Sequence, residues 1–352
     1  MKTFAQPFFK HTFTFMVIML CFFSLQGYAF ERCLWDEGWR FALHKGNSPH
    51  QKSFDDSGWR LLNLPHDWAI EDDFYAQNPS GATGGALPGG IGWYRKHLTL
   101  HDNDTTSRYV LHFDGAYMNT SLYVNGKLVG TRPYGFISFS FDLTPYLNKQ
   151  GDNVVAVKVD NSEQPNSRWY TGCGIYRHVY LMKSTDIRVA QWGVQAIPEV
   201  KKGVAKLTLN TQIENPSGRN RKVTVRQKLW NKAHQLVAQT TKTLNVEASG
   251  ATVTQQMRAQ KPQLWSLASP YLYTVTTEIV ENGRVLDTET TTIGFRTIAF
   301  DVEKGFFLNG ENIKLNGVCL HGDLGCLGAA VNEDALHRQL IMMKEMGANA
   351  IR

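Results

Sequence analysis

Two short stretches hold the side chains best suited to binding chemistry. His321 and Asp323 set an imidazole beside a carboxylate, and together such groups recognise hydroxyls as donors and as acceptors. A loop-ordering hydrogen bond between them, or to backbone, is the plainer account. Arg168-Trp169-Tyr170 forms a polar-aromatic cluster. Aromatic faces stack on the apolar C–H faces of sugars, so such a loop can help wall a glycan pocket, although core or interdomain packing remains open to Trp and Tyr. Arg352, whose guanidinium stays charged at all working pH values, can orient a carboxylate through a bidentate pair, or is simply a surface charge where the sequence stops. Cys33, Cys173, Cys319 and Cys326 are widely and irregularly spaced, with neither the density of a disulfide-stapled domain nor the paired spacing of a zinc site. They read as small buried hydrophobes. No cofactor is required, no metal ligands are assigned, and room remains for a structural or activating cation.

The elements that must position these residues change in character along the chain. From Phe30 to about Lys183 the pattern has period two, as in Tyr109, Leu111, Phe113, in Phe139, Phe141, Leu143 and in Val155, Val157, Val159, the mark of half-buried antiparallel strands. Asn125-Gly126 between two short apolar runs predicts a type I′ hairpin. With no helical pattern interleaved, residues 30–184 read as a two-sheet jelly roll. Trp35, Trp39, Trp59, Trp68 and Trp93 belong to its core and loops, and His66 and Asp67 sit in a Leu64-Pro65-His66-Asp67-Trp68 turn of structural role.

Residues 185–298 keep the alternation with new spacing (Leu207, Leu209, Thr211, Ile213; Val223, Val225, Gln227, Leu229) and a second hairpin turn at Asn282-Gly283. About seven strands fit an immunoglobulin-like sandwich; with no cysteine in this stretch, it must rest on apolar packing. From residue 299 the grammar changes again. Ile313–Leu320 reads as a strand, Asn332 as the N-cap of a helix with Leu336, Leu340 and Met343 on one face and Gly347 as its stop, and Asn349-Ala350-Ile351 as another strand. Strand, loop, helix, strand is a βαβ unit with parallel strands, and residues 299–352 are expected to be the start of a parallel sheet with most of its strands missing. The overall class is therefore mainly β: a jelly roll, an immunoglobulin-like sandwich, then one βαβ unit. His321 and Asp323 follow the first strand of that unit, and Arg352 ends the second.

Bulk properties narrow the classes of function. A chain of 352 residues favours two or three domains. The net charge of +6 falls to +4 without Lys2 and Lys10 and is thinly spread, so nothing specific favours a nucleic-acid partner. Lys2 and Lys10, the apolar run Phe13 to Leu25 and Gly27-Tyr28-Ala29 follow one another as an export signal does. Cleavage after Ala29 is expected, with a periplasmic or secreted product. The apolar run is shorter than the roughly 20 residues that span a bilayer, and no membrane span is expected in the mature chain.

Leu64–Trp68, Gly92-Trp93-Tyr94-Arg95-Lys96, Arg168–Arg177, Gly305-Phe306-Phe307-Leu308-Asn309-Gly310 and Gly317–Arg352 together resemble family 2 glycoside hydrolases, the bacterial β-galactosidases above all. The resemblance implies a jelly-roll sugar-binding domain, an immunoglobulin-like domain and, from residue 299, the first βαβ unit of an incomplete (β/α)8 barrel, with His321 and Asp323 at the C-terminal rim where barrel enzymes bind substrate and Arg352 reaching the same rim. It implies too the retaining hydrolysis of a terminal β-galactoside in an oligosaccharide or glycan. It also implies that the two catalytic glutamates lie on later barrel strands, so no residue of this chain is assigned the chemistry. Glu333 and Glu345 lie on or beside the first barrel helix, outside the barrel. His321 resembles a histidine that contacts the sugar, and Arg352 an active-site support residue. Related sequences often carry a second histidine where Gly322 stands. β-Glucuronidase and β-mannosidase share the architecture, and a non-catalytic carbohydrate-binding protein built of two β-sandwiches is the alternative of another class. Oligomeric state is left open.

Overall fold

A computed structural model describes residues 31–44, 46, 48–103 and 107–352; the proposed export signal lies outside the described residues. The first unit is a pair of antiparallel sheets. One runs in the order Arg60–Leu62, Trp39–Leu43, Gly90–His101, Gln150–Asn161, Thr120–Val124, Lys127–Arg132, and the other Glu31–Leu34, Val179–Ser184, Arg108–Phe113, Phe139–Asp142. Alternating residues of both sheets meet in one core that includes Trp39, Phe41, Tyr94, Val155 and Val157 from the first and Leu111, Phe113 and Phe139 from the second. This is the half-buried alternation expected of a sandwich. Trp39, Trp68 and Trp93 are buried. Asn125 and Gly126 both have positive φ and close the predicted hairpin, with Val124 opposite Lys127.

The second unit has three strands (Arg188–Lys201, Val204–Glu214, Ala251–Gln260) facing four (Leu236–Val246, Arg221–Trp230, Tyr273–Glu281, Arg284–Ile293). Its interior departs from the purely apolar packing expected. Along the strand Arg221–Trp230 the inward residues run Val223, Val225, Gln227, Leu229, and the neighbours place Thr211, Thr277 and Gln255 at the same level, all nearly inaccessible. Gln227 Nε2 donates to Thr211 Oγ1 at 2.9 Å and to Thr277 Oγ1 at 3.2 Å. These bonds tie the layer together while leaving Gln227 Oε1 and Gln255 Oε1 buried without a partner, and the layer divides the core into two apolar clusters, one around Leu207, Leu229 and Val275, the other around Val223, Val225 and Ile279. Asn282-Gly283 makes its predicted turn.

A small antiparallel ribbon, Ile298–Asp301, Gly305–Leu308 and Glu311–Asn312, then leads to the barrel segment. The strand expected over Ile313–Leu320 shortens to Gly317–Val318, because its parallel partner is only Ala350–Ile351 and a ladder needs both sides. Backbone bonds from Leu320 to Arg352 and from Asn349 to Asn316, at 2.9 and 3.0 Å, continue the pairing beyond it. The helix Glu333–Glu345 starts where expected: Asn332 Oδ1 accepts from the Ala335 amide at 2.9 Å. Among the described residues no helix is long and apolar enough to cross a membrane. The cysteines correct an expectation. Only Cys173 is buried; Cys33 lies on an edge strand exposed along its length, and Cys319 and Cys326 lie in the barrel segment, also exposed.

Candidate functional site

The turn Leu64–Trp68 brings Asp67 to 2% exposure. Its Oδ1 caps the short helix Trp68–Glu71, accepting from the Ala69 amide at 3.1 Å, and accepts the Cys173 amide at 2.8 Å. Its Oδ2 accepts the Ala329 amide at 2.8 Å and the Tyr170 hydroxyl. One carboxylate thus ties the loop that carries Arg168, Trp169 and Tyr170 to the barrel-segment loop that carries His321 and Asp323. Burial first, then the charge of Asp67, raises the Tyr170 pKa far above the usual tyrosine value, so Tyr170 is a permanent donor here.

Two glycines make this approach possible. Gly172 and Gly328 have φ of +70° and +59°, and a Cβ on either would collide with the Asp67 carboxylate. The left-handed backbone and the missing side chain are both needed. The seam extends through the Val331 amide, which donates to the Tyr176 carbonyl at 2.9 Å, and through a buried cluster of Tyr117, Tyr176 and Ala329. His178 links the jelly roll to the helix, with Nδ1 at 2.6 Å from Asp36 and Nε2 at 3.6 Å from Glu333.

Across this seam the Trp169 and His321 rings meet edge to face, with centroids 6.1 Å apart. No hydrogen bond or ion pair joins the His321 and Asp323 side chains. Asp323 is near enough for its charge to act on Tyr170. Arg352 pairs its backbone with Val318 and Leu320 and so lies beside the start of the His321 loop, with an exposed side chain. The structure therefore brings all six candidate residues to one neighbourhood: Trp169 touches His321, Tyr170 is committed to Asp67, and Arg168 and Arg352 remain exposed.

Beside Trp169 opens a cavity of about 430 Å³ lined by Tyr117, Tyr134, Phe136, Asn166 and Arg168. Phe136 packs against Tyr117 and Tyr134 at centroid distances of 4.9 and 5.9 Å, and Tyr134 and Phe136 are about half exposed. The Tyr117 hydroxyl donates to Asn166 Oδ1 at 3.2 Å. A concave wall of aromatic faces with a few fixed polar groups suits a sugar better than it suits a charged ligand. Sequence reasoning missed this aromatic set and the role of Asp67. Tyr134 and Phe136 keep the period-two spacing of a strand, so nothing in the local pattern set them apart. Glu333 lies on the exposed face of its helix and does not line this cavity.

Comparison with known proteins gives a consistent relationship. Residues 35–185 match the model of the glycosyl hydrolases family 2 sugar binding domain, and residues 187–296 match that of glycosyl hydrolases family 2. The chain is 50% identical over 324 residues to a β-galactosidase of Bacteroides ovatus, covering 92% of this chain and 38% of that protein. It is 29% identical to a β-glucuronidase of Formosa agariphila, covering 89% of this chain and 35% of that one. The crystal structure of a glycosyl hydrolase family 2 member from Bacteroides cellulosilyticus superimposes with a TM-score of 0.87 at 36% identity, over 91% of this chain and 42% of that chain. The chain thus spans less than half the length of these relatives.

Proposed function

We propose, from the premise that this chain belongs to glycosyl hydrolase family 2, that it serves a retaining exo-β-galactosidase that removes terminal galactose from β-linked oligosaccharides or glycans. The observation that carries the choice of sugar is the 50% identity to the Bacteroides ovatus β-galactosidase; the relative named β-glucuronidase makes that sugar the principal competitor. In a retaining reaction two carboxyl groups roughly 5 to 5.5 Å apart flank the anomeric carbon, one protonating the leaving oxygen and the other attacking. In this reading the catalytic pair comes from barrel strands other than those present here, and this chain supplies recognition. His321 and Asp323 hydrogen-bond sugar hydroxyls, Arg352 orients a carboxylate, and Trp169 offers its face beside them, while Arg168 and the aromatic cavity receive the leaving-group side. Asp67 holds the two loops in register. Removal of residues 1–29 and action outside the cytoplasm belong to the same reading.

The test uses the chain continued through a complete barrel, assayed on aryl β-D-galactoside, β-D-glucuronide and β-D-mannoside. The galactoside is expected to be turned over with the highest kcat/KM, and His321→Ala to lower that value about tenfold to a thousandfold, the size of one or two lost directed hydrogen bonds. The 352-residue chain alone is expected to be inactive. Preference for the glucuronide would replace the proposed substrate, and unchanged kinetics of His321→Ala would reduce that residue to loop scaffolding.

A further inference from the structure

A second cleft, of about 470 Å³, lies where the jelly roll meets the immunoglobulin-like sandwich, and it shares no lining residue with the cavity beside Trp169. Its most unusual feature is local. The strand Arg188–Lys201 leaves regular pairing between Val189 and Val194, and within this bulge Trp192 has φ of +52°. A bulky side chain enters that left-handed region only against steric strain. Gly193 beside it has no room for a side chain: a Cβ would lie 2.7 Å from the Ala190 carbonyl oxygen and 2.9 Å from that of Gln212. The outcome is an indole 68% exposed, held edge-on by His112 at a centroid distance of 5.8 Å. Bulges re-aim side chains, and this one aims a large apolar ring at the cleft.

The walls carry charged groups that are only partly paired with one another. Asp287 is 3% exposed; its Oδ2 accepts the Val189 amide at 2.7 Å, and its Oδ1 is buried without a hydrogen-bond partner. Nε of Arg132 is likewise buried and unpartnered. Burial pushes the Asp287 carboxyl up to about 6, and burial together with Asp287 raises that of Glu289. Arg188 is already engaged, by Glu214 at 2.9 Å. A net anion entering this cleft would meet Asp287 and Glu289, and a net cation would meet Arg132. A neutral polyol has no such conflict, since each hydroxyl both donates and accepts, and its C–H face matches an exposed indole.

We propose that this cleft is a second carbohydrate site, distinct from the barrel rim, that binds a short neutral saccharide with Trp192 stacked on a sugar face and with Asp287 and Arg132 hydrogen-bonded to its hydroxyls. The test is titration of the full chain, labelled with 15N at the tryptophan indoles, with lactose and cellotetraose into the millimolar range. The resonance missing in Trp192→Ala identifies the Trp192 indole, and the remaining indoles report that the variant stays folded. The Trp192 signal is expected to shift saturably; in titration calorimetry with the same sugars, Trp192→Ala is expected to weaken the affinity about tenfold, and Asp287→Asn to weaken it as well. Shifts at Trp169 report the rim separately, so failure there leaves this site standing and the reverse. A Trp192 signal unmoved by both sugars overturns the proposal, as does a shift that follows protein concentration instead of sugar, which would make the indole a protein-docking contact.

Discussion

Asp67 and Asp287 are almost equally inaccessible, at 2% and 3% exposure, yet their surroundings are opposite. Asp67 receives four donors from three separate stretches of chain: Ala69 beside it, Tyr170 and Cys173 across the jelly roll, and Ala329 from the barrel segment. Asp287 receives a backbone donor on one oxygen and leaves the other without a partner. A buried carboxylate with its lone pairs engaged is a tie between segments. One left half-satisfied weakens the fold and persists only where something else is gained. Burial alone does not separate these cases; the count and origin of the donors do.

The largest expected effect breaks the tie. Asp67→Asn keeps the shape but offers one acceptor oxygen, so its NH2 faces either the Ala69 and Cys173 amides or the Ala329 amide beside a Tyr170 hydroxyl that must turn to accept. With two charge-assisted bonds lost and at least one backbone amide left facing a donor, the chain should be destabilised by about 3–4 kcal/mol. Urea unfolding measures the loss, and hydrogen exchange locates it: protection at the Ala329 and Val331 amides should fall before that of core strands such as Gln150–Asn161. A loss below about 1 kcal/mol would show that the two loops are held by apolar packing at Tyr117, Tyr176 and Ala329, and that Asp67 is no hub.

Asp287→Asn should act in the opposite direction. The folded-state pKa of Asp287 is raised to about 6 from an ordinary value of 3.8. Below about pH 4 the group is neutral in both states and imposes no penalty. As pH rises from there through about 6 the unfolded chain ionises first, and stability is lost; the full penalty, about 2–3 kcal/mol, is present above pH 6. The amide variant should recover about that much at pH 7.5 and nothing at pH 4, as read from thermal or urea unfolding at the two values. A variant no more stable at pH 7.5 would mean that the carboxylate is already compensated, and the contrast with Asp67 would fail.

The contrast was only half visible in the sequence, for physical reasons. Strand alternation depends on neighbours two residues apart, so Leu111, Phe113, Val155 and Val157 and both Asn-Gly turns could be read directly and proved buried or turned as expected. The helix cap at Asn332 is equally local. Asp67 could not be read in the same way, because the donor that gives it its role lies 262 residues further on, at Ala329. The sequence placed Asp67 in a structural turn, which is correct but incomplete. The polar layer at Gln227 was hidden because one glutamine on an apolar stripe acquires a reason only when Thr211 and Thr277 arrive from other strands. Trp192 was invisible because a bulge shifts the register by which exposure is inferred. The site residues were named from motifs, whereas their assembly belongs to contacts that no local pattern carries.

The smallest effect separates the two halves of the Asp67 tie. Tyr170→Phe removes one donor to Oδ2 and leaves the three backbone donors in place. The expected loss is about 1.5 kcal/mol, the lower end for a hydrogen bond to a charged group, since Asp67 keeps its other partners and the phenyl ring keeps the packing. The pH dependence is informative as well. Burial first and Asp67 second raise the folded-state pKa of Tyr170, so its contribution is fully present below the unfolded value of about 10 and declines only as pH rises above it. Wild type and Tyr170→Phe should therefore differ by a constant amount from pH 7 to about pH 10 and converge above that. Protection at the Ala329 amide should survive in Tyr170→Phe and be lost in Asp67→Asn. Loss of that protection in both variants would assign the seam to the tyrosine, with the carboxylate reduced to its acceptor; a difference that grows steadily between pH 7 and 9 would mean that Tyr170 titrates in the folded chain and is no permanent donor.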